Sequence, residues 1–127
     1  VSYVPFRNAN ILADATGWAE IINAEKIYIG AVEEDSSGYP DCRRSFYDAF
    51  EKTINEGTKP NTKITIKSPL INLSKKEIIF KGLELKSPLE LTWSCYKNED
   101  VACQKCDSCL LRARGFEQAK KLDPILF

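Results

Sequence analysis

The sequence predicts a layered α/β domain that runs into a cysteine-rich segment. Three observations carry that reading. Helical periodicities alternate with short β-forming runs, the first such run has no polar alternation, and four cysteines cluster near the carboxyl end. With 127 residues the chain is the size of one ordinary domain. Its 43% hydrophobic and 28% charged residues, with 18 Lys+Arg against 18 Asp+Glu, point neither to charge-driven disorder nor to a strongly cationic nucleic-acid binder.

Residues 8–24 place Ile11, Leu12, Ala15, Trp18, Ala19 and Ile22 at helical spacing, which predicts a first helix with these as its buried face. Pro5 suits the approach to a helix better than its interior. Lys26-Ile27-Tyr28-Ile29-Gly30-Ala31-Val32 reads as a strand covered on both faces, the signature of a parallel sheet. The polar stretch 33–40 must be a loop, after which Asp41 is suited to cap a second helix. Phe46, Ala49, Phe50, Thr53 and Ile54 give that helix its apolar stripe, and Gly57 is placed to stop it. Lys63-Ile64-Thr65-Ile66-Lys67 alternates as a half-exposed edge strand does. Ser74-Lys75-Lys76-Glu77 has capping-box spacing and opens a third helix carrying Ile78, Ile79 and Leu83. Pro88 ends that helix, a short piece over 89–93 follows, and 110–122 reads as a terminal helix. The motifs divide the chain at 92/93, into an α/β part over 1–92 and a cysteine segment with its helix over 93–127.

Cys95, Cys103, Cys106 and Cys109 form a C-x7-C-x2-C-x2-C array in a chain without histidine. Two-residue gaps let thiolates converge across a tight turn, and four sulfurs complete a tetrahedron around one Zn²⁺ with no position left for water. Such a site is structural, and it would pin residues 93–96 to the start of the last helix. Disulfides fit poorly, because no export signal is present and adjacent C-x2-C pairs seldom act as staples. An iron–sulfur cluster is the serious rival, although Cys109-Leu110-Leu111-Arg112 lacks the closing Cys-Pro of a ferredoxin run. Cys42, beside Arg43 and Arg44, is read equally well as an activated thiol or as a packed small residue.

In open parallel sheets ligands bind beyond the carboxyl ends of the strands, the place occupied here by 33–43. Glu33, Asp35 and Asp41 can accept from the N–H groups of a purine-like base. Tyr39 can stack on it, and the Arg43 fork can hold a carboxylate or phosphate. A solvated loop in which Asp41 merely caps a helix is an equal alternative. Asp35-Ser36-Ser37-Gly38 is not a phosphate cradle, having one glycine and no following Lys or Asp-Ser.

Taken together, several blocks are similar to the 7-cyano-7-deazaguanine synthase family, also called QueC or ExsB-like. They are Tyr3-Val4-Pro5-Phe6-Arg7-Asn8, Ser37-Gly38-Tyr39-Pro40-Asp41-Cys42-Arg43, Pro69-Leu70-Ile71-Asn72-Leu73-Ser74-Lys75-Lys76-Glu77-Ile78, Leu91-Thr92-Trp93-Ser94-Cys95-Tyr96, and Cys103-x2-Cys106-x2-Cys109-Leu110-Leu111-Arg112-Ala113. The resemblance spans essentially the whole chain but only the family's C-terminal part. It implies a Rossmann-like adenine nucleotide α-hydrolase fold of the PP-loop type, one structural zinc on Cys95, Cys103, Cys106 and Cys109, ATP as co-substrate, a homodimer and a cytoplasmic enzyme. The implied reaction turns 7-carboxy-7-deazaguanine and ammonia into 7-cyano-7-deazaguanine (preQ0) for queuosine biosynthesis, with no direct nucleic-acid or membrane partner. Arg7 and Asn8 match the family's Val-Pro-x-Arg-Asn block, and Tyr39, Asp41 and Arg43 its Tyr-Pro-Asp-Cys-Arg block; both are candidate substrate contacts.

Family members begin with a strand and a Ser-Gly-Gly-x-Asp-Ser pyrophosphate loop, which this sequence does not contain, and it has no Met. The expectation is therefore a fragment that supports ATP-driven ligation only together with an N-terminal half. A different class is a zinc-stabilised nucleic-acid- or protein-binding module, for which Arg112, Arg114, Lys120 and Lys121 supply local positive charge and against which zero net charge weighs. Another PP-loop amidating or thiolating enzyme is disfavoured by the Tyr-Pro-Asp-Cys-Arg block together with the cysteine array.

Overall fold

The computed structural model describes residues 3–33 and 38–126. In chain order it has α1 (Arg7–Ile21), β1 (Lys26–Tyr28), α2 (Arg44–Gly57), β2 (Thr65–Lys67), α3 (Lys75–Glu84) and α4 (Asp107–Ala119). Single 3-10 turns lie at Pro40–Cys42 and Leu89–Leu91. β1 and β2 pair in parallel, with Lys26 opposite Thr65, Ile27 opposite Ile66 and Tyr28 opposite Lys67. Parallel neighbours need a crossover, and α2 supplies it. The expected mixed α/β pattern with a parallel sheet is present.

The strands follow expectation unevenly. Ile64, just before β2, and Ile66 within it are buried while Lys67 faces solvent, the alternation that the sequence predicts. β1 departs from its prediction: it spans three residues, and Tyr28 is 68% exposed, so the strand is not covered on both faces by the described residues. The ladder continues only to the Ile29 N–H, which donates to the Lys67 carbonyl; the buried Ala31 and Val32 belong to the segment after the strand.

The helices show where periodicity is ambiguous. α1 buries Asn8, Ala9, Leu12 and Ala19, whereas Ile11, Trp18 and Ile22 are each more than half exposed. Two overlapping stripes were available at helical spacing, and the one through Asn8, Leu12 and Ala19 faces the core. In α2, Tyr47 and Ile54 are buried with Phe46 and Phe50 half-buried beside them, while Ala49 and Thr53 are exposed. Asp41 does not cap α2. That helix starts after Arg43 without a side-chain cap, and Asp41 sits in the preceding 3-10 turn with its carboxylate turned to α1.

α3 carries the predicted capping box: the Ser74 hydroxyl accepts from the Glu77 N–H at 3.3 Å while Glu77 Oε2 accepts from the Ser74 N–H at 2.8 Å. It ends at Glu84, before Pro88. α4 starts at Asp107, earlier than the predicted 110, because Cys106 is its N-cap. It stops at Ala119, where Lys120 adopts φ 52, so Leu122 lies outside the helix.

By packing, the chain forms two compact units, Val1–Asn72 and Leu73–Phe127. The first unit is built on one apolar cluster that includes Leu12, Ala19, Tyr47, Ile54, Ile64, Ile66 and Ile71. In the second, Ile79 of α3 packs with Phe116 and Ala119 of α4, which is why α3 groups with the cysteine segment. Gly115 permits that approach: a Cβ there would lie 2.9 Å from Lys75 Cβ. A second small cluster holds Cys95, Ala102 and Cys109, with Cys103, Cys106 and Ile125 against them.

Candidate metal centre and binding site

The four cysteines converge. The sulfur atoms of Cys95, Cys103, Cys106 and Cys109 all lie within 4.8 Å of one another, and Cys103 Sγ is 4.0 Å from Cys109 Sγ. Four sulfurs about 2.3 Å from one tetrahedral ion would be roughly 3.8 Å apart, so a small contraction completes the site. Cys95 comes from the turn after Trp93, Cys103 and Cys106 from the loop before α4, and Cys109 from its first turn. These positions join residues 93–96 to the start of α4, as the spacing predicts.

Backbone groups prepare the cluster for thiolates. Cys95 Sγ accepts from the N–H groups of Lys97 (3.4 Å), Asn98 (3.3 Å) and Cys103 (3.4 Å), and Cys103 Sγ accepts from Cys106 (3.3 Å) and Lys105 (3.5 Å). N–H donation, chiefly from Cys103, lowers the Cys95 thiol to about 6, and backbone N–H groups of Tyr96 and Cys109 hold Cys106 below its ordinary value. Burial drives Cys109 the other way, to about 12. A cation would reconcile the set, because coordination deprotonates a thiol that its surroundings otherwise keep neutral. All four donors are sulfur, and they could hold a metal ion.

Arg112 is not presented to solvent beside this cluster. Its guanidinium meets Asp123 in a two-point ion pair, Nε to Oδ2 at 2.6 Å and Nη2 to Oδ1 at 2.8 Å, with side-chain exposures of only 11% and 6%. Nη1 also donates to Thr92 Oγ1 at 2.9 Å. Arg112 therefore ties the stretch before Cys95 and the tail after α4 to the helix, which takes one charge away from the nucleic-acid reading. The sequence reading did not single out Asp123, which lies outside every motif.

The candidate binding residues meet in the first unit. The Asn8 N–H donates to Asp41 Oδ2 at 2.9 Å, and Asn8 Nδ2 donates to the Asp41 carbonyl at 3.1 Å and to the Tyr47 hydroxyl at 3.3 Å. Cys42 Sγ lies 3.6 Å from the same nitrogen, in the 3-10 turn and not at the start of α2. Both Asn8 and Asp41 are buried. Phe6, at the N-cap of α1, has φ 58, a left-handed conformation that costs a bulky residue roughly 1–2 kcal/mol. The Asp41 carboxylate, set on the first turn of α1 where N–H groups lack partners, offsets that cost. Burial raises the Tyr47 phenol well above its usual value. Tyr47 was missed because Phe46 was assigned to the stripe, although Tyr47 and Ile54, seven residues apart, fit helical spacing equally well.

Around this pair, Arg7 and Tyr39 are half-buried and Arg43 is exposed, while the Tyr3 ring stands edge-on to Tyr39 at 6.1 Å. Glu33 is half-buried beyond the carboxyl end of β1, its N–H donating to the Ile71 carbonyl beyond β2. Asp35 lies outside the described residues. An open cavity of about 910 Å³ is found at the opposite end of the strands, lined by Glu20, Lys26, Lys59 and Thr65 among others, and includes none of these candidates.

The family description "Queuosine biosynthesis protein QueC" matches residues 1–120. The chain belongs to the QueC family. Curated relatives agree: 7-cyano-7-deazaguanine synthase of Chlorobium phaeobacteroides (strain DSM 266) is 64% identical over 124 residues, which are 98% of this chain and 55% of the relative. The enzyme of the same name from Chloroherpeton thalassium is 62% identical with the same coverage, and that of Acidobacterium capsulatum is 58% identical over 125 residues, 98% of this chain and 54% of the relative. This QueC-family chain thus spans about 55% of the length of the relatives it matches, their C-terminal part. No helix among the described residues is long and apolar enough to cross a membrane.

Proposed function

We propose that this chain is the C-terminal part of a 7-cyano-7-deazaguanine synthase. The observation that carries the reading is the coincidence of a family match over residues 1–120 with four cysteine sulfurs gathered within 4.8 Å. The whole polypeptide would convert 7-carboxy-7-deazaguanine, ammonia and ATP into the 7-nitrile in a cytoplasmic queuosine pathway. The carboxylate attacks ATP to give an acyl-adenylate and pyrophosphate, ammonia displaces AMP to give the amide, and a second ATP adenylates the amide oxygen, which departs with AMP as two protons are lost and the nitrile forms. The pyrophosphate loop of a PP-loop, Rossmann-like fold would come from the half that these residues do not include, and the working enzyme would be a homodimer.

In this reading one Zn²⁺ is held by Cys95, Cys103, Cys106 and Cys109, where it neutralises thiolates and cross-links the loop to α4. With four protein ligands it leaves no place for substrate, so its contribution is to folding and not to bond making. Arg7 and Arg43 are the cations for a substrate carboxylate or phosphate, Tyr39 offers a ring face to the deazapurine, and Glu33 and Asp35 offer acceptors to its N–H groups.

The test is turnover by the full polypeptide carrying these residues. Incubated with 7-carboxy-7-deazaguanine, ATP and ammonium, it should form the nitrile together with AMP, both read by mass spectrometry. Salt-dependent RNA or DNA binding without nitrile formation would replace the reading by a zinc-stabilised binding module.

A further inference from the structure

We propose that Asn8 and Asp41 are positioning residues: they form a buried clasp that fixes Arg7, Tyr39 and Arg43 relative to one another, and neither touches the substrate. The inference rests on the synthase reading for its kinetic test but on the geometry alone for its structural one. Thirty-three residues apart in sequence, each of the two side chains bonds the other residue's backbone. Asp41 Oδ2 takes the Asn8 N–H at 2.9 Å, and the Asn8 carboxamide returns a bond to the Asp41 carbonyl at 3.1 Å. The remaining capacity of Nδ2 goes to Tyr47 at 3.3 Å and to Cys42 Sγ at 3.6 Å. At 6% and 7% exposure, both residues are buried beneath the surface that a ligand would meet.

Their neighbours in sequence do. Arg7 precedes Asn8, while Tyr39 and Arg43 flank Asp41 by two residues on each side, and all three reach the surface. The clasp therefore joins the two blocks at their inner residues and leaves their outer ones to meet a ligand. It also closes on a strained turn: Phe6 is left-handed, and Arg7 is the first residue of α1 after it. Without the Asp41 carboxylate on the Asn8 N–H, the Phe6 turn is free to relax and Arg7 to swing with it.

The distinguishing experiment compares Asn8→Ala, Asp41→Ala and the double variant in the full polypeptide. Asp41→Ala, which removes the charge-assisted bond to the Asn8 N–H, should raise KM for 7-carboxy-7-deazaguanine about tenfold or more, and Asn8→Ala, which keeps that N–H and loses only carboxamide bonds, should raise it less. The double variant should be worse than either single one, because each substitution removes a different bond of the clasp. Asp41→Asn, which retains an oxygen to accept the Asn8 N–H, should recover most of the loss. In parallel, the rate at which an alkylating reagent labels Cys42 in metal-loaded protein should rise in every alanine variant, and modestly in Tyr47→Phe, which removes one acceptor and keeps the ring. An Asp41→Asn variant as impaired as Asp41→Ala, or unchanged Cys42 labelling in the alanine variants, would each overturn the clasp and make Asp41 a direct contact or an unrelated core residue. A wild-type protein that makes no nitrile but shows the labelling pattern would keep the clasp and remove the synthase reading; should the alanine variants not fold, the Tyr47→Phe labelling rate decides.

Discussion

The two packing units are held together by different chemistry. Residues of Val1–Asn72 share an apolar cluster into which one hydrogen-bonded polar group, Asn8 with Asp41 and Tyr47, is set. The cysteine segment of Leu73–Phe127 has little to bury: beyond its own four cysteines, Ala102 and Ile125 are the apolar residues packed there. A region with a core can hold a buried polar pair as a device for orientation. A segment with so little to bury would gain most of its order from an ion held by its four sulfurs, as small domains generally do. The difference predicts which perturbation each unit feels.

The largest effect should come from the four-cysteine cluster. Cys106→Ser in the full polypeptide should abolish stoichiometric metal binding, whose apparent free energy in structural zinc sites is on the order of 10 kcal/mol. Amide-exchange protection should then be lost over residues 95–109 and kept around Ile64; full metal content, or equal loss in both places, would break the comparison. Ile64→Ala is the reciprocal change. Removing a side chain that is 1% exposed should cost about 2–5 kcal/mol of stability, seen in denaturant titration, while metal content stays at one per chain.

Gly115→Ala is a finer probe of the α3–α4 contact. Alanine is favoured over glycine in a helix by about 1 kcal/mol, yet its methyl would meet Lys75 Cβ at 2.9 Å, with Ile79 Cδ1 at 3.3 Å. Since that neighbour is the rigid base of a side chain, overpacking at about 1–3 kcal/mol should win and the melting temperature should fall. The smallest effect belongs to the capping box, where Ser74→Ala should cost about 1 kcal/mol. Bonds from the Ser74 backbone N–H and hydroxyl lower the Glu77 carboxyl below its ordinary 4.5. A lowered folded-state value means that this contribution is present above about 4.5 and fades as pH falls through the folded-state value. The stability difference between wild type and Ser74→Ala should therefore shrink in acid and be constant near neutrality.

What could be read from the sequence was what is local. The capping box and the cysteine array are set by residues a few positions apart, and both occur where their spacing put them. The parallel pairing of β1 and β2 was foreshadowed by the unpatterned run at Lys26, but the burial of β1 was not, because composition does not say which neighbours cover a strand. α1 shows the limit of periodicity: Ile11, Trp18 and Ile22 are more apolar than Asn8 and Ala9, yet the core takes the latter stripe. Hydrophobicity ranks faces, and here a polar partner 33 residues away outweighed the ranking. The same distance hid the tertiary contact of Asp41, since its local neighbourhood offered α2 and its carboxylate accepts from the first turn of α1. Arg112 and Asp123 were illegible for a similar reason, each lying in a helix or tail whose proximity exists only after folding.

α4 is answerable to two masters. Cys109 in its first turn points to the other thiols, while Phe116, seven residues and about two turns later, must face Ile79 of α3. An inserted or deleted residue between them would rotate Phe116 by about 100° relative to the cysteine, so that one end of the helix could be satisfied only by misaligning the other. The length of that stretch is thus fixed by angular phase, and insertions or deletions should be excluded from residues 110–115 even though several of the side chains there are exposed and free to vary in kind.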